Sequence, residues 1–223
     1  MKKITVLILF IASTIVSQTN TEVFLFDLKK TETGYELTNK KNISINEGYD
    51  SQPHFYDNYA LLFASSRNGQ TDIVKYTIDT GIKEFINYSP EGGEYSPQRI
   101  PGTDDISAVR LDNTGLQRFY RYDINTGNSK EIIRNLEVAY PLWASNKLLF
   151  SAVIGEKSLE LVKSDLKNKT NVLLEKKIGR SLHCIPGTNS ISFISKKKPL
   201  WEIFSIDITT LSINKITNLD DNY

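Results

Sequence analysis

The sequence contains little of what marks a disulfide-bonded, lipid-anchored or nucleic-acid-binding protein. It has a single cysteine, Cys184, so no disulfide can form within the chain, and no cysteine follows the apolar N-terminal run as a lipid-attachment site. It has 27 basic and 26 acidic residues, which leaves a formal net charge of +1. That balance lacks the basic field that non-specific nucleic-acid binding requires, so we expect no nucleic-acid partner.

Motifs for catalysis and cofactor binding are missing as well. The sequence has no Gly-x-Ser-x-Gly elbow, no glycine-rich phosphate loop and no Cys-x-x-Cys pair. Its two histidines, His54 and His183, are fewer than the three protein ligands of a typical catalytic zinc site. We therefore expect a non-enzymatic protein with no cofactor and no bound metal.

The N-terminus has the pattern of an export sequence. Two lysines precede an apolar run over residues 4–11, and several small residues follow that run. The run is shorter than the roughly 20 residues that span a bilayer, so the pattern favours a secretory signal peptide over residues 1–17. The alternative is an N-terminal strand or a membrane anchor. A mature domain over residues 18–223 would be periplasmic or secreted, and it would not span the membrane.

Similar segments recur along the chain at a nearly fixed period. Segments around Pro53, Pro97, Pro141 and Leu182 are spaced by 44, 44 and 41 residues. The second and fourth of these segments share the string Ile-Pro-Gly-Thr. A period of this size is typical of propellers and other repeat arrays.

A second series of segments, out of phase with the first, alternates apolar and polar residues and then breaks at a polar turn. It includes Asp123, Asp165 and Asp207, and these successive copies lie 42 residues apart. The pattern is typical of a strand, a hairpin turn and an outer strand. The two series together predict four short antiparallel strands per repeat, with the proline near the start of the first strand and very little helix.

The predicted fold is an all-β propeller of four-stranded antiparallel blades, with four full repeats after a partial N-terminal blade. The approximate blades are residues 21–46, 48–90, 93–135, 137–177 and 178–219. A β-sandwich or a pair of small β-domains is the alternative, because closely spaced strands also suit those folds. Since the repeats begin with the outer half of a blade, we expect either a shortened form of a longer, six-bladed relative or an open arc with an exposed edge.

These repeats resemble the TolB-like β-propellers built from WD40-like repeats. The resemblance covers about residues 21–223 and is clearest where Tyr120, Asp123, Thr126 and Gly127 stand at the positions of the family's hairpin motif. The last two repeats keep the aspartate but lack the turn glycine. The resemblance implies a binding platform in the periplasm or cell envelope, and it says more about architecture than about activity.

Polar side chains fall into register where the innermost strands of the blades should converge on a central channel, the usual ligand site of a propeller. The candidate binding residues are Asp50, Gln52, His54, Glu94, Tyr95, Gln98, Tyr140, Arg180 and His183. A rim of this kind would recognise an envelope protein, a peptide or a glycan by hydrogen bonds with aromatic support. The alternative is that these residues are only solvated loop ends.

The sequence thus predicts an exported binding module. The alternative is a propeller-type carbohydrate lyase or hydrolase, or the propeller portion of a peptidase, because some similar propellers carry such activities. Cys184 is expected in the core, since free cysteines are often buried, and Trp143 and Trp201 are expected to pack between blades.

Overall fold

The computed structural model describes residues 20–87, 89 and 92–219, and all regular structure in these residues is β. The predicted signal peptide lies outside the described residues. No helix that could cross a membrane occurs within these ranges.

Eighteen strands form one two-stranded and four four-stranded antiparallel sheets in the described chain. The N-terminal hairpin consists of β1 (Phe24–Lys30) and β2 (Tyr35–Asn42). Blade I consists of β3 (Asp50–Phe55), β4 (Ala60–Arg67), β5 (Gln70–Thr77) and β6 (Lys83–Phe85). Blade II consists of β7 (Gly92–Arg99), β8 (Ile106–Asp112), β9 (Gln117–Tyr122) and β10 (Ser129–Ile133).

The last two sheets repeat this arrangement. Blade III consists of β11 (Val138–Ser145), β12 (Leu148–Ile154), β13 (Leu159–Asp165) and β14 (Thr170–Lys176). Blade IV consists of β15 (Ile178–Cys184), β16 (Ser190–Ser195), β17 (Glu202–Asp207) and β18 (Ile213–Asn218). Within each blade the strands pair in chain order, and the first strand is innermost. The predicted propeller of four full blades after a partial one is confirmed.

An apolar layer fills each junction between neighbouring sheets, because alternate residues of a strand point to opposite faces. In β4, Leu61 faces the N-terminal hairpin, whereas Leu62 faces blade II and packs with Ile106. In β12, Leu149 packs against blade II and Phe150 against blade IV. Sheets that are buried on both faces explain the near-continuous apolar runs of β4 and β12.

The repeat prolines lie within the inner strands and not near the strand starts as the sequence predicts, and two of them, Pro53 and Pro97, lie at bulges. The pairing register of β3 shifts between Ser51 and His54, around Pro53, and that of β7 shifts between Tyr95 and Gln98. Proline has no N–H to donate to the strand ladder, and a bulge is where a sheet can do without one.

The hairpin turn that ends the third strand of each later blade is built on one aspartate. Its side-chain oxygen accepts hydrogen bonds of 2.7 to 3.0 Å from the backbone N–H groups two and three residues later. These bonds lower the pKa of the three aspartates, which are Asp123, Asp165 and Asp207. Gly127 completes the first turn at a φ of 70°, and Lys169 and Leu211 adopt φ values of 55° and 60° in the later two. The turns of the last two blades therefore keep the same conformation although they lack the glycine.

The two tryptophans have different environments. Trp143 packs between blades II and III, with its ring 5.9 Å from that of Phe119, as predicted. The prediction for Trp201 is wrong, because its side chain is exposed in the connection between β16 and β17 and contacts the ammonium group of Lys196.

Candidate functional site

The four inner strands converge on a cavity of about 500 Å³. This channel cavity receives Gln52 to His54 from β3, Ser96 to Arg99 from β7, Tyr140 to Trp143 from β11, and Arg180 to Cys184 from β15. All four full blades thus contribute equivalent positions of their repeats to one wall. A cavity of this size lies in the range of ordinary ligand sites.

Six of the nine candidate residues line the channel cavity. They are Gln52, His54, Gln98, Tyr140, Arg180 and His183. They lie on all four inner strands, so residues far apart in the sequence face one space.

The remaining three candidates lie elsewhere. Asp50 and Glu94 are 1% and 0% exposed, and their carboxyl groups are buried between sheets instead of at a rim. Tyr95 contacts the ring of Tyr49 at 6.0 Å and lines a separate cavity between blades I and II. All three residues precede the bulge of their strand, and the segment of strand before the bulge lies away from the channel cavity.

Burial dominates the electrostatics of the two displaced carboxyl groups. It raises the pKa of Asp50 and of Glu94, because water no longer stabilises the charged form. Glu94 Oε1 accepts a 2.9 Å hydrogen bond from the Tyr122 hydroxyl. Within the described chain, Glu94 Oε2 has no hydrogen-bond partner. These groups belong to the interfaces between sheets.

The two channel glutamines connect neighbouring blades. Gln52 Oε1 accepts a 2.8 Å hydrogen bond from the backbone N–H of Ser96, and Gln98 Nε2 donates a 2.7 Å hydrogen bond to the Pro141 carbonyl. Both bonds join one inner strand to the next. The glutamines therefore hold the wall of the channel cavity together and keep only part of their hydrogen-bonding capacity for a ligand.

The two histidines of the chain meet at the channel cavity, although they belong to blades I and IV. His54 is half-buried, and its pKa is lowered first by burial and second by the charge of His183. A histidine of this kind is mainly neutral at neutral pH, and a nearby negative charge would favour its protonated form.

Two arginines line the channel cavity, but they differ in their partners. Arg99 forms a 2.8 Å ion pair with Asp104 and donates to the Thr103 carbonyl. Arg180 is exposed, and its guanidinium group lies 5.8 Å from the centre of the Tyr140 ring. Among the described residues, no carboxylate forms an ion pair with Arg180.

Cys184 is exposed and lines the channel cavity, so the prediction that it lies in the core is wrong. Its thiol lies 3.9 Å from the Trp143 carbonyl, and its partial burial raises its pKa. In the repeat alignment, His54, Gln98 and His183 occupy one position, and Arg99 and Cys184 occupy the next. Extending the repeat alignment by one residue would have found both side chains.

Metal-binding side chains do not cluster in the part of the chain that the structure describes. No group of three or more histidine, cysteine, aspartate or glutamate side chains is close enough there to hold an ion. Such a cluster is a usual requirement of a catalytic metal centre.

Four-stranded antiparallel sheets set side by side around an axis, with a cavity where their innermost strands meet, define a β-propeller. The propeller is TolB-like, as the repeats predict. It superposes on TolB from Acinetobacter baumannii with a TM-score of 0.67 at 14% sequence identity, over 88% of this chain and 52% of that one. The chain therefore spans about half the length of that TolB.

Propeller enzymes have similar structures. An oligogalacturonate lyase in complex with manganese gives a TM-score of 0.60 at 12% identity, over 91% of this chain and 75% of that one. A puromycin-hydrolyzing peptidase from Mycobacterium tuberculosis gives 0.62 at 12% identity, over 89% of this chain and 39% of that one. No family model matches the sequence, and no curated protein matches it in sequence. At these identities the similarity establishes the fold alone.

Proposed function

We propose that this chain is an exported, non-enzymatic binding module whose channel cavity holds a peptide segment of an envelope protein. The observation that carries the proposal is the convergence of equivalent repeat positions from all four blades on one cavity. Sites in which a rigid scaffold presents a few polar groups among apolar ones are the usual places for ligands.

The chemistry of the lining supports a peptide. Pro53, Pro97 and Leu182 contribute apolar surface that can contact side chains. Arg180 and the ring of Tyr140 add polar groups at the same wall. A peptide combines both kinds of group in one segment, which suits a cavity lined by apolar and polar side chains.

Export is the second part of the proposal. Its support is the N-terminal order of lysines, an apolar run and small residues, which is typical of a signal peptide. An exported propeller of this kind would act in the periplasm or outside the cell.

An enzyme is the second candidate, and the meeting of His54 and His183 at the channel cavity is the observation that favours it. A metal-dependent reaction would use these histidines with further ligands, of which Gln52 and Gln98 are nearest in the repeats. Both amides are already engaged in bonds between blades. This arrangement supports binding better than metal catalysis.

Selection of peptides from a random display library tests the proposed site. Ser181 is exposed at the channel cavity, and Ser129 is exposed on the outermost strand of blade II. Peptides selected on the purified chain should bind the Ser181→Trp variant at least about tenfold more weakly than wild type, because the indole fills the cavity. The same peptides should bind the Ser129→Trp variant as tightly as wild type. Peptides that bind both variants equally, or a library that yields no binder, would overturn the proposal.

A further inference from the structure

The wall of the channel cavity is rich in hydrogen-bond donors and poor in negative charge. Arg99, Arg180, His54 and His183 all contribute nitrogen atoms to it. None of the described residues that line the cavity carries a carboxylate. A ligand that only accepts hydrogen bonds and carries negative charge would complement such a wall.

Arg180 is the residue best placed to meet that ligand. Arg99 already forms an ion pair with Asp104. Arg180 is exposed, and among the described residues its guanidinium group has no ion pair and one aromatic neighbour, the ring of Tyr140. An arginine presents a rigid set of N–H groups that matches a carboxylate through two parallel hydrogen bonds. The guanidinium group lies near the Tyr140 ring, 5.8 Å from its centre, and faces the channel cavity.

We infer, resting on the proposed peptide-binding function, that the channel cavity selects acidic peptides. In this inference Arg180 binds a ligand carboxylate, and His54 takes up a proton as that carboxylate binds. Both histidines line the channel cavity that the carboxylate enters, and the charge of His183 acts on His54. The ligand charge would offset the burial and the nearby positive charge that disfavour protonation of His54. Binding and protonation would therefore be coupled.

The charged and titratable groups around His54 are consistent with this coupling. Strand β7 contributes Arg99, strand β11 contributes Tyr140, and strand β15 contributes Arg180, His183 and Cys184. No carboxylate is among these described neighbours. A bound carboxylate would then be the first negative charge close to His54, and affinity should rise as the pH falls from 8 toward 6.

A peptide fits this wall better than an acidic sugar does. Each sugar hydroxyl needs an acceptor as well as a donor, and carboxylates are the strongest side-chain acceptors. The cavity offers the Gln98 side-chain oxygen and serine hydroxyls, but no carboxylate among its described lining residues. The acidic side chain of a peptide needs donors alone, and its neighbouring side chains can contact Pro53 and Pro97.

Histidine NMR on the purified chain tests this inference directly. The chain has two histidines, so it gives two Hε1 ring resonances, which His54→Gln and His183→Gln assign. The probe is an aspartate capped at both ends, and its neutral twin is the capped asparagine. The capped aspartate should shift both resonances and raise the pKa of His54, and the capped asparagine should change neither.

Matched arginine variants identify the carboxylate partner. Arg180→Gln should weaken binding of the capped aspartate about tenfold, the ratio expected for one hydrogen bond to a charged group. Arg134→Gln removes the same charge from an exposed residue paired with Glu131 outside the channel cavity, and it should leave binding unchanged. Equal effects of the two variants would show a general charge effect and would overturn the inference.

Two further outcomes separate this inference from the proposed function. The first outcome concerns library peptides that require the channel cavity. If these peptides bind equally well after every Asp and Glu in them is changed to Asn and Gln, acidic selectivity is overturned and peptide binding remains. Stronger binding of galacturonate than of the capped aspartate would favour an acidic sugar and overturn the peptide. The absence of any peptide that requires the cavity would overturn both proposals.

Discussion

Individual buried carboxyl groups between the sheets are the least favourable part of the propeller. Glu94 is fully buried, and its Oε1 accepts a hydrogen bond from Tyr122. Its Oε2 has no partner of good geometry among the described residues, and the nearby side chains of Ser89 and Asn87 offset only part of the cost of burial. The nearby charge of Asp72 further disfavours its ionised form. A buried polar atom without a partner costs about 1–3 kcal/mol. This interface should therefore limit stability at neutral pH.

Replacement of Glu94 by glutamine should remove the cost of burying a charge and keep an oxygen that accepts a hydrogen bond from the Tyr122 hydroxyl. Because burial raises the pKa of folded Glu94 above that of the unfolded chain, its contribution is favourable at low pH and is lost as the pH rises through the folded pKa. Glu94→Gln should therefore be more stable than wild type by about 1 kcal/mol at pH 8, and the gain should shrink toward pH 4. Denaturant unfolding at several pH values measures this difference.

The exposed Glu36 of β2 provides the control for Glu94. Glu36→Gln should change stability little at any pH, because exposed carboxyl groups are solvated in both states. A Glu94→Gln variant whose stability relative to wild type falls as the pH rises would contradict the assignment of a buried, destabilising charge.

Among the individual residues that line the channel cavity, the sequence predicts some and misses others. His54, Gln98, Tyr140 and His183 follow from the repeat alignment, because each lies one residue before or after a position equivalent to the repeat proline. Asp50 and Glu94 could not be separated from them, since only the bulge shows that the strand before it faces other sheets. Arg99 and Cys184 lie one residue beyond the aligned positions, and the ion pair of Arg99 with Asp104 forms within blade II.

The bulges of the inner strands are the elements that shape the channel cavity. Gln52 and Ser96, the residues before two of the repeat prolines, adopt positive φ values of 57° and 50°. Side chains other than glycine pay about 1 kcal/mol or more for this conformation. Ser96 also buries a hydroxyl that has no partner among the described residues. The bulges therefore hold strain beside the proposed site.

Ser96→Gly should relieve both costs. Glycine adopts a positive φ freely, and the substitution removes the unpartnered hydroxyl while keeping the backbone N–H that donates to Gln52. We expect a net stabilisation of about 1 kcal/mol, after allowance for the greater freedom of glycine in the unfolded chain. Chemical denaturation of the two proteins measures it.

The matched control is Ser129→Gly, in the extended outer strand β10. It should destabilise the protein by about 0.5–1 kcal/mol, because glycine gains nothing there and weakens a strand. Equal losses in both variants would mean that Ser96 is not strained.

The hairpin turns show how far local sequence predicts an element. The aspartate at each turn is visible in the sequence, and its side-chain hydrogen bonds account for the turn. Lys169 and Leu211 adopt the conformation of the absent glycines because those bonds and the flanking strands hold the turn closed. The prolines are the opposite case, since their spacing predicts the inner strands but not the bulges within them.

At the scale of the molecule, the repeat period predicts the propeller because each repeat is one sheet that needs neighbours on its faces. Strand β16 illustrates the dependence on neighbours. Its Ile191 and Phe193 are buried against blade III, while Ser190 and Ser192, on the opposite face, are only half-buried. What the period cannot predict is the chemistry of the channel cavity, which arises only when four distant segments meet.

The central claim is that these four segments form one binding surface. A spin label attached to a peptide selected from the display library, followed by NMR of the labelled complex, tests it most directly. We predict that line broadening will be concentrated on the inner strands β3, β7, β11 and β15 around the channel cavity. Broadening centred on the outer strands β6, β10, β14 and β18, or on the N-terminal hairpin, would contradict it.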